Sequence, residues 1–206
     1  MKLSIYQILT RLYGADAAAT TPWGSRTANG CGTFADIDAD ALKRIRQMGM
    51  SHVWFTGVIR HATCTHYDGI ADCNPAVVKG MAGSPYAITD YYDVDPDLAV
   101  NPEERMAEFE ALVHRTHRAG LKVIIDFVPN HVSRQYQSTH LPKGKHNLGA
   151  TDNVGHAFNP QNNFYYIPNE PLHWEGYEEM PAKATGNDNF SAWPGQNDWY
   201  ETIKLN

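Results

Sequence analysis

The sequence feature that most constrains the fold is an apolar run that ends in a cluster of polar residues. Residues 122–128 are almost all apolar and rich in β-branched side chains, which is typical of a strand buried on both faces of a parallel sheet. Pro129 cannot donate a hydrogen bond within a central strand, so the strand is expected to stop before it. Asp126, Asn130 and His131 therefore mark the carboxyl end of the strand, where parallel α/β folds bind their ligands.

The segments that precede this strand alternate between strand and helix patterns. Asp38 and Asn101 are good N-cap residues for two helices. Gly120 suits the left-handed position that follows the second helix. The resulting order, β-α-β-α-β, predicts an α/β protein with parallel strands. The predicted elements before the apolar run are a strand at 3–12, a helix at 39–48, a strand at 52–58 and a helix between 101 and 120.

Three stretches show no sustained helix or strand pattern. Residues 15–36 are mostly small and polar, which predicts a loop. Residues 59–100 predict a long excursion, and loops of that length in a compact fold usually carry function. Residues 132–206 are dense in Asn, Pro, Gly, His and aromatic residues. This last stretch therefore predicts an irregular region with no long helix.

Composition and charge exclude some partners. The net charge is −6, from 17 basic and 23 acidic residues, and no long run of either sign occurs. Nucleic acid and anionic membranes are therefore not expected as partners. Neither a signal peptide nor a membrane span is recognised in the sequence, which predicts a cytoplasmic protein, or a secreted or periplasmic one if a leader has been removed. Nothing in the sequence indicates an oligomeric state.

Four stretches, in the same order along the chain, resemble conserved parts of the α-amylase family of glycoside hydrolases (family 13). DFVPNH at 126–131 is similar to the first conserved region of that family, usually written DVVxNH. One such match would be weak evidence, but four in register are strong. The other three are YQILTRLYG at 6–14, LKRIRQMGMSHVWFTGV at 42–58 and SPYAITDYYDVDP at 84–96, which resemble the first barrel strand, the passage from helix 1 to strand 2 and a tyrosine-bearing loop.

The resemblance implies a fold and an activity. The expected fold is the N-terminal portion, strands 1–3, of a (β/α)8 TIM barrel at residues 1–131, followed by an irregular domain B excursion at residues 132–206. The expected activity is retaining hydrolysis of α-1,4-glucans such as starch and maltooligosaccharides. The nucleophile and the acid of the family lie on later strands, so they are expected beyond Asn206, with no catalytic residue inside this fragment of a barrel. The alternative is a non-catalytic sugar-binding or inactive fragment of such a barrel.

The resemblance also assigns roles to individual side chains. Tyr86 matches the tyrosine that stacks on the sugar, His131 matches the histidine that hydrogen-bonds it, and Asp126 supports the same substrate-binding network. The residues alone leave an alternative open for two of these assignments. Tyr86 could be a loop tyrosine packed on the barrel, and His131 could be a hydrogen-bonded structural histidine.

A structural calcium ion is a further implication of the resemblance. Asn130 matches the position that gives a side-chain oxygen to this ion, and calcium prefers oxygen ligands. The sequence leaves the next ligand open among Asp152, Asp188 and Asp198.

Cysteine, histidine and tryptophan residues allow other interpretations. Residues 61–73 contain the pattern H-x2-C-x-H-x6-C, which could hold zinc, but the spacing matches no standard zinc finger, and coincidence in a loop is favoured. A disulfide between Cys64 and Cys73 could form in an oxidising compartment, and spacing does not decide it. Trp174, Trp193 and Trp199 suit either sugar-binding platforms or the core of a small domain.

Overall fold

A computed structural model describes residues 2–15 and 20–206, so part of the loop predicted at 15–36 lies outside the described residues. The chain divides into two compact units. The first unit comprises Met1–Arg60, Tyr67–Gly69 and Asp93–Phe127, and the second comprises His61–His66, Ile70–Tyr92 and Val128–Asn206. The helices are α1 (Arg26–Asn29), α2 (Ala39–Gln47) and α3 (Arg105–Arg118), and the strands are β1 (Ile5–Leu9), β2 (His52–Thr56), β3 (Ile59–His61), β4 (Ile88–Val94), β5 (Lys122–Ile125), β6 (His131–Ser133), β7 (Tyr166–Ile167), β8 (Ala182–Lys183) and β9 (Thr202–Lys204).

The first unit is built on a three-stranded parallel sheet in the order β1-β2-β5. The register pairs Ile8 with Phe55, and Phe55 with Ile125. Helix α2 begins where predicted, because the Asp38 side chain accepts a hydrogen bond from the backbone N–H of Ala41 at 2.7 Å. The α/β order predicted from the sequence is therefore present in this unit.

One face of this sheet carries the main hydrophobic core of the first unit. The large side chains of Phe34, Phe55, Leu42 and Leu112 are all fully buried there. Burying an aliphatic or aromatic side chain of this size contributes about 1.5–3 kcal/mol. The core therefore accounts for much of the stability that fixes β2 and α2 in place.

The prediction for residues 122–128 is wrong in two respects. The strand ends at Ile125, because the carboxylate of Asp126 accepts hydrogen bonds from Trp54 and Gly57 of the neighbouring segment. The strand is also not buried on both faces, since Ile125 at its end is 40% exposed, and Phe127, just beyond it in the predicted range, is 72% exposed. Among the described residues, β5 has a hydrogen-bonded neighbour on one side alone, β2.

Other element boundaries also differ from the predictions. The first strand is shorter at both ends than the predicted 3–12, and the second ends at Thr56, just before Gly57 with its positive φ of 76°. The predicted helix between 101 and 120 begins as a 3-10 turn at Pro102–Glu104 and becomes α-helical at Arg105. Strands β3 and β4 lie inside the predicted excursion at 59–100, and neither was predicted from the sequence.

The second unit is built from short strands and loops. β6 pairs with β9 and β7 pairs with β8, in both cases antiparallel. Its largest apolar cluster has four buried members, Val132, Phe164, Tyr166 and Ile203. No helix among the residues that the structure describes is both long and apolar enough to cross a membrane.

Candidate functional site

The imidazole of His131 is held in a buried position in the second unit. His131 opens β6 opposite Lys204 of β9, and its side chain is 5% exposed. The ring of Trp199 lies against it, with 5.1 Å between ring centroids and an angle of 60° between the planes. Gly186 leaves space for the side chain of His131, because a Cβ atom at Gly186 would lie 2.8 Å from the Cβ of His131. A larger residue at 186 would displace the imidazole.

Tyr86 and His131 are brought together by the fold. The imidazole of His131 interacts with the backbone of Tyr86 through a hydrogen bond. The Tyr86 ring itself is 39% exposed. The Nδ1 atom of His131 is buried and has no hydrogen-bond partner within the described ranges 2–15 and 20–206. The pair therefore combines an exposed aromatic ring with a buried imidazole that has an uncommitted nitrogen.

Burial also sets the protonation state of this histidine. It lowers the pKa of His131 below its ordinary value of 6.5, while the hydrogen bond to the backbone of Tyr86 acts in the opposite direction. The imidazole is therefore neutral at pH 7. A neutral imidazole has one donor nitrogen and one acceptor nitrogen, which suits contact with a hydroxyl group.

A second tyrosine fixes the backbone that leads to His131. The hydroxyl group of Tyr91, on β4, donates to the carbonyl oxygen of Val128 at 2.5 Å and lies 3.4 Å from that of His131. Burial raises the pKa of Tyr91 to about 12, so the hydroxyl group remains a donor at neutral pH. Tyr91 and Gly186 were not predicted to lie around this histidine, because their contacts join distant parts of the chain.

Asp126 belongs to the first unit and has a different local role. Its two carboxylate oxygens accept hydrogen bonds from the indole N–H of Trp54 and the backbone N–H of Gly57, each at 2.9 Å. The carboxylate therefore links the end of β5 to the end of β2. Tyr86 and His131 lie in the second unit, so of the three predicted sugar-binding residues the fold joins these two by a direct contact.

Asn130 and the carboxylates considered as its partners all make contacts within the protein. Asn130 is exposed, and its backbone carbonyl accepts a hydrogen bond from Leu205. Calcium takes about six to eight oxygen ligands. Each carboxylate considered as its partner already has protein partners. Asp152 accepts from backbone N–H groups and a tyrosine hydroxyl, Asp198 from a backbone N–H and asparagine amides, and Asp188 pairs with Lys204.

The zinc interpretation finds no support in the described part of the chain. No three of His61, Cys64, His66 and Cys73 bring their ligand atoms within 4.8 Å of one another. His66 instead pairs with Asp72 through its Nδ1 atom at 2.7 Å. The cysteines are free thiols, and Cys64 and Cys73 pack against the same small apolar cluster.

The tryptophans of the second unit fall into different environments. Trp174 is half-buried and stacks on Tyr200, with ring centroids 4.2 Å apart. Trp193 is exposed and stacks on His173, with centroids 3.6 Å apart. Trp199 is partly exposed beside His131, as described above. The three indoles therefore differ in burial, and the choice between platform and core stays a prediction for each of them.

Comparison with known proteins places most of the chain in one family. A family model described as "Alpha amylase, catalytic domain" matches residues 20–202. An α-glucosidase of Apis mellifera is 27% identical over 174 residues, which is 84% of this chain. The amino acid transporter heavy chain SLC3A1 of Mus musculus is 31% identical over 118 residues, 56% of this chain.

Solved structures give matches of the same kind. An α-amylase from Lactobacillus plantarum has 30% sequence identity and a TM-score of 0.45, covering 66% of this chain and 24% of that one. The α-glucosyl transfer enzyme XgtA has 24% identity and a TM-score of 0.46, covering 82% of this chain and 23% of that one. Among the curated relatives, the matched part is 24% of the length of the honeybee protein and 13% of the mouse protein.

Proposed function

Because the chain belongs to the α-amylase catalytic-domain family, we propose that it forms part of a retaining glycoside hydrolase. The proposed substrates are α-1,4-glucans such as starch and maltooligosaccharides. Membership rests on the match to residues 20–202, and it implies a partial (β/α)8 barrel. In the proposal, residues 1–131 supply strands 1–3 of that barrel, and residues 132–206 form the domain B excursion.

The observation that carries the proposal is the contact between Tyr86 and His131, here called the sugar-holding pair. An exposed aromatic ring packs well against the C–H bonds of a pyranose. The neutral imidazole of His131 contacts the backbone of Tyr86, and the resemblance assigns it a hydrogen bond to a sugar hydroxyl. Together the two groups can hold one glucose ring in a defined orientation, which is what a catalytic centre requires of its binding residues.

Asp126 has a supporting role in this proposal. Both of its carboxylate oxygens accept hydrogen bonds, from Trp54 and from Gly57. It therefore fixes the carboxyl ends of two neighbouring parallel strands, where the sites of such barrels are built. If a substrate hydroxyl also binds to Asp126, it must donate to carboxylate lone pairs that Trp54 and Gly57 do not use.

The chemical step is assigned to groups outside the sugar-holding pair. A retaining glycosidase needs a nucleophilic carboxylate and an acid–base carboxyl group about 5–5.5 Å apart. In the proposal both lie beyond Asn206, and the residues of this chain bind and orient the sugar. The calcium ion assigned to Asn130 stays a prediction, and no step of the proposal depends on it.

The proposal is tested by measuring maltoheptaose binding and hydrolysis in paired variants. In binding, Tyr86→Ala and His131→Asn should each weaken affinity by roughly tenfold, since each removes a contact worth about 1–1.5 kcal/mol. Tyr92→Ala and His146→Asn are matched controls, because both side chains are exposed and lie outside the pair. Affinities that change equally in variants and controls would contradict the proposal.

Hydrolysis gives the second arm of the test. It is measured on the protein that carries the carboxylates expected beyond Asn206. There we expect kcat/KM for maltoheptaose to fall by about 100-fold in His131→Asn, because hydrogen bonds to the sugar strengthen in the transition state. Release of β-configured product, in place of α, would exclude the retaining mechanism.

A second candidate is a sugar-binding protein without catalysis. One observation favours it: a relative of this chain is named as the heavy chain of an amino acid transporter and not as a glycosidase. Similarity to this chain is therefore not confined to proteins that are named as hydrolases. Binding of maltoheptaose that depends on the sugar-holding pair, without any release of reducing sugar from the complete protein, would support this candidate.

A further inference from the structure

We infer that the second unit carries an additional carbohydrate-binding groove that holds a neutral glucan through adjacent hydroxyl groups. The groove has a volume of about 680 Å³, within the range of about 300–1,000 Å³ typical of small-molecule sites. It shares no residue with the sugar-holding pair. The inference rests on the proposed function only for the choice of an α-1,4-glucan as ligand. The lining residues are Asn74, Gln135, Trp174, Gly176, Tyr177 and Glu178.

The walls of the groove are fixed before any ligand binds. The indole N–H of Trp174 donates to the carbonyl oxygen of Ala76 at 2.7 Å, and its ring stacks on Tyr200 at an angle of 17°. The side-chain amide of Asn74 donates to the carbonyl oxygen of Gly176 at 2.8 Å. A site that is already ordered loses little conformational entropy on binding, which favours affinity.

The turn that carries two of the lining residues depends on glycine. Gly176 has a φ of 80°, in the left-handed region that L side chains rarely adopt. Around it, Trp174 and Tyr177 are joined by an isolated antiparallel bridge. The turn therefore presents the two aromatic residues side by side in one conformation.

Polar groups with unused hydrogen-bonding capacity line this groove. The Oε1 atom of Gln135 accepts from the backbone N–H of Asn74 at 2.7 Å. The amide nitrogen of Gln135, the hydroxyl group of Tyr177 and the carboxylate of Glu178 have no hydrogen-bond partner among residues 2–15 and 20–206. Two donors and a charged acceptor are thus available to a ligand at one place.

This set of groups suits a neutral sugar better than an anion. A sugar hydroxyl is both donor and acceptor, so neighbouring hydroxyls can pair with the amide of Gln135 and the carboxylate of Glu178 together. The half-buried rings of Trp174 and Tyr177 offer apolar surface for the C–H bonds of the ring. The lining has one acid and no basic residue, so an anionic ligand would be repelled.

A neighbouring cavity of the same unit lacks these properties. It has a volume of about 390 Å³, and the basic residues that line it are Arg134 and Lys183. Both of these cations already pair with the carboxylate of Glu179, at 2.7 and 3.2 Å. Their charges are therefore committed within the protein, and the groove is the better candidate for a ligand.

The test measures maltoheptaose binding by calorimetry in a Tyr86→Ala background, where the sugar-holding pair no longer contributes its aromatic ring. In that background, Glu178→Ala and Tyr177→Phe should each weaken the remaining affinity by about 3- to 10-fold, the usual effect of losing one hydrogen bond. Glu175→Ala is the matched control, since Glu175 is an exposed carboxylate on the same turn that does not line the groove. It should change affinity by less than twofold.

The outcomes separate this inference from the proposed function. Binding that survives Tyr86→Ala and is lost on adding Glu178→Ala and Tyr177→Phe supports the groove. The inference about the groove is overturned if Glu178→Ala and Tyr177→Phe leave the affinity unchanged. It is also overturned if Tyr86→Ala alone abolishes binding. If Tyr86→Ala and His131→Asn change nothing while the groove variants do, the proposed function fails and the groove stands. Tyr177→Phe and Glu178→Ala remove only a hydroxyl group and an exposed side chain, and unchanged circular dichroism spectra establish that each variant is folded.

Discussion

The two compact units are stabilised in different ways. The first has one large hydrophobic cluster that joins β1 and β2 to α2 and α3, with twelve buried members. The second has three smaller clusters, with four, three and three buried members. Asparagine and aspartate side chains such as Asn147, Asn163 and Asp152 hydrogen-bond to backbone groups of its loops. The comparison indicates that apolar burial is concentrated in one cluster in the first unit, whereas side chain–backbone hydrogen bonds hold the loops of the second.

Arg134 is the clearest polar contact of the second unit. Its side chain is fully buried and pairs with the carboxylate of Glu179 at 2.7 Å. Its guanidinium also donates to the backbone carbonyl of Tyr200. Burial lowers the pKa of Arg134, and the nearby Glu179 opposes this effect. Buried ion pairs are not confined to this unit, since Arg60 and Asp93 of the first unit pair at 3.0 Å.

The largest effect is expected in the core of the first unit. Phe55→Ala removes a side chain with no exposed surface from the central strand, and we expect a loss of about 3–5 kcal/mol in the free energy of unfolding. Urea unfolding measures this loss. Phe127→Ala, in the same unit, is the control, because that ring is 72% exposed and should change stability by about 0.5 kcal/mol or less. Similar losses in both variants would show that the core does not dominate.

A somewhat smaller effect is expected at the buried ion pair of the second unit. Arg134→Met keeps the apolar stem but leaves the carboxylate of Glu179 with Lys183 as its remaining cationic partner. We expect a loss of about 3 kcal/mol, near the lower end for a broken buried pair. In the double variant Arg134→Met, Glu179→Leu, the loss should be smaller than in the single one. A larger loss in the double variant would contradict the account given for Arg134.

Matched aspartates in the two units give an intermediate effect. Asp152 accepts hydrogen bonds from the backbone N–H groups of Asn163 and Phe164 and from the hydroxyl group of Tyr166. Asp126 accepts only two, in the first unit. We expect losses of about 2 kcal/mol for Asp152→Ala and about 1.5 kcal/mol for Asp126→Ala, measured by thermal unfolding. The reverse order would mean that polar contacts matter more in the first unit than the comparison implies.

The same difference explains how much the sequence could predict. In the first unit, apolar periodicity and the Asp38 cap located α2 to within one residue, because both signals are local. The strand predicted at 122–128 was too long, since nothing in the run itself shows that Asp126 bonds to Trp54 and Gly57. Its expected burial on both faces also failed, because burial depends on neighbouring strands and not on the run.

In the second unit the sequence predicted irregularity but not its architecture. The resemblance pointed to Tyr86 and His131, and the structure places them in contact. The surroundings of this pair could not be predicted, because Gly186 and Trp199 lie 55 and 68 residues further along the chain than His131. Side chain–backbone contacts of this kind have no periodicity, so only coordinates reveal them.

The smallest effect concerns pH, and it is confined to the second unit. Burial lowers the pKa of His131 below 6.5, so between that value and its lowered pKa the unfolded chain binds more protons than the folded one. Stability contributed by this histidine is therefore present above pH 6.5 and is lost as the pH falls. Hydrogen bonds from Gly195 and two asparagines lower the pKa of Asp198 from its ordinary value of 3.8, so this carboxylate stays charged throughout this range.

Urea unfolding at pH 7 and at pH 5 measures the effect. The His131→Asn variant should lose less stability on acidification than the parent protein. His146→Asn, at an exposed histidine, should behave like the parent. An identical pH dependence in all three proteins would mean that His131 is not held neutral by burial, and the sugar-holding pair would then lack the acceptor nitrogen that its proposed role requires.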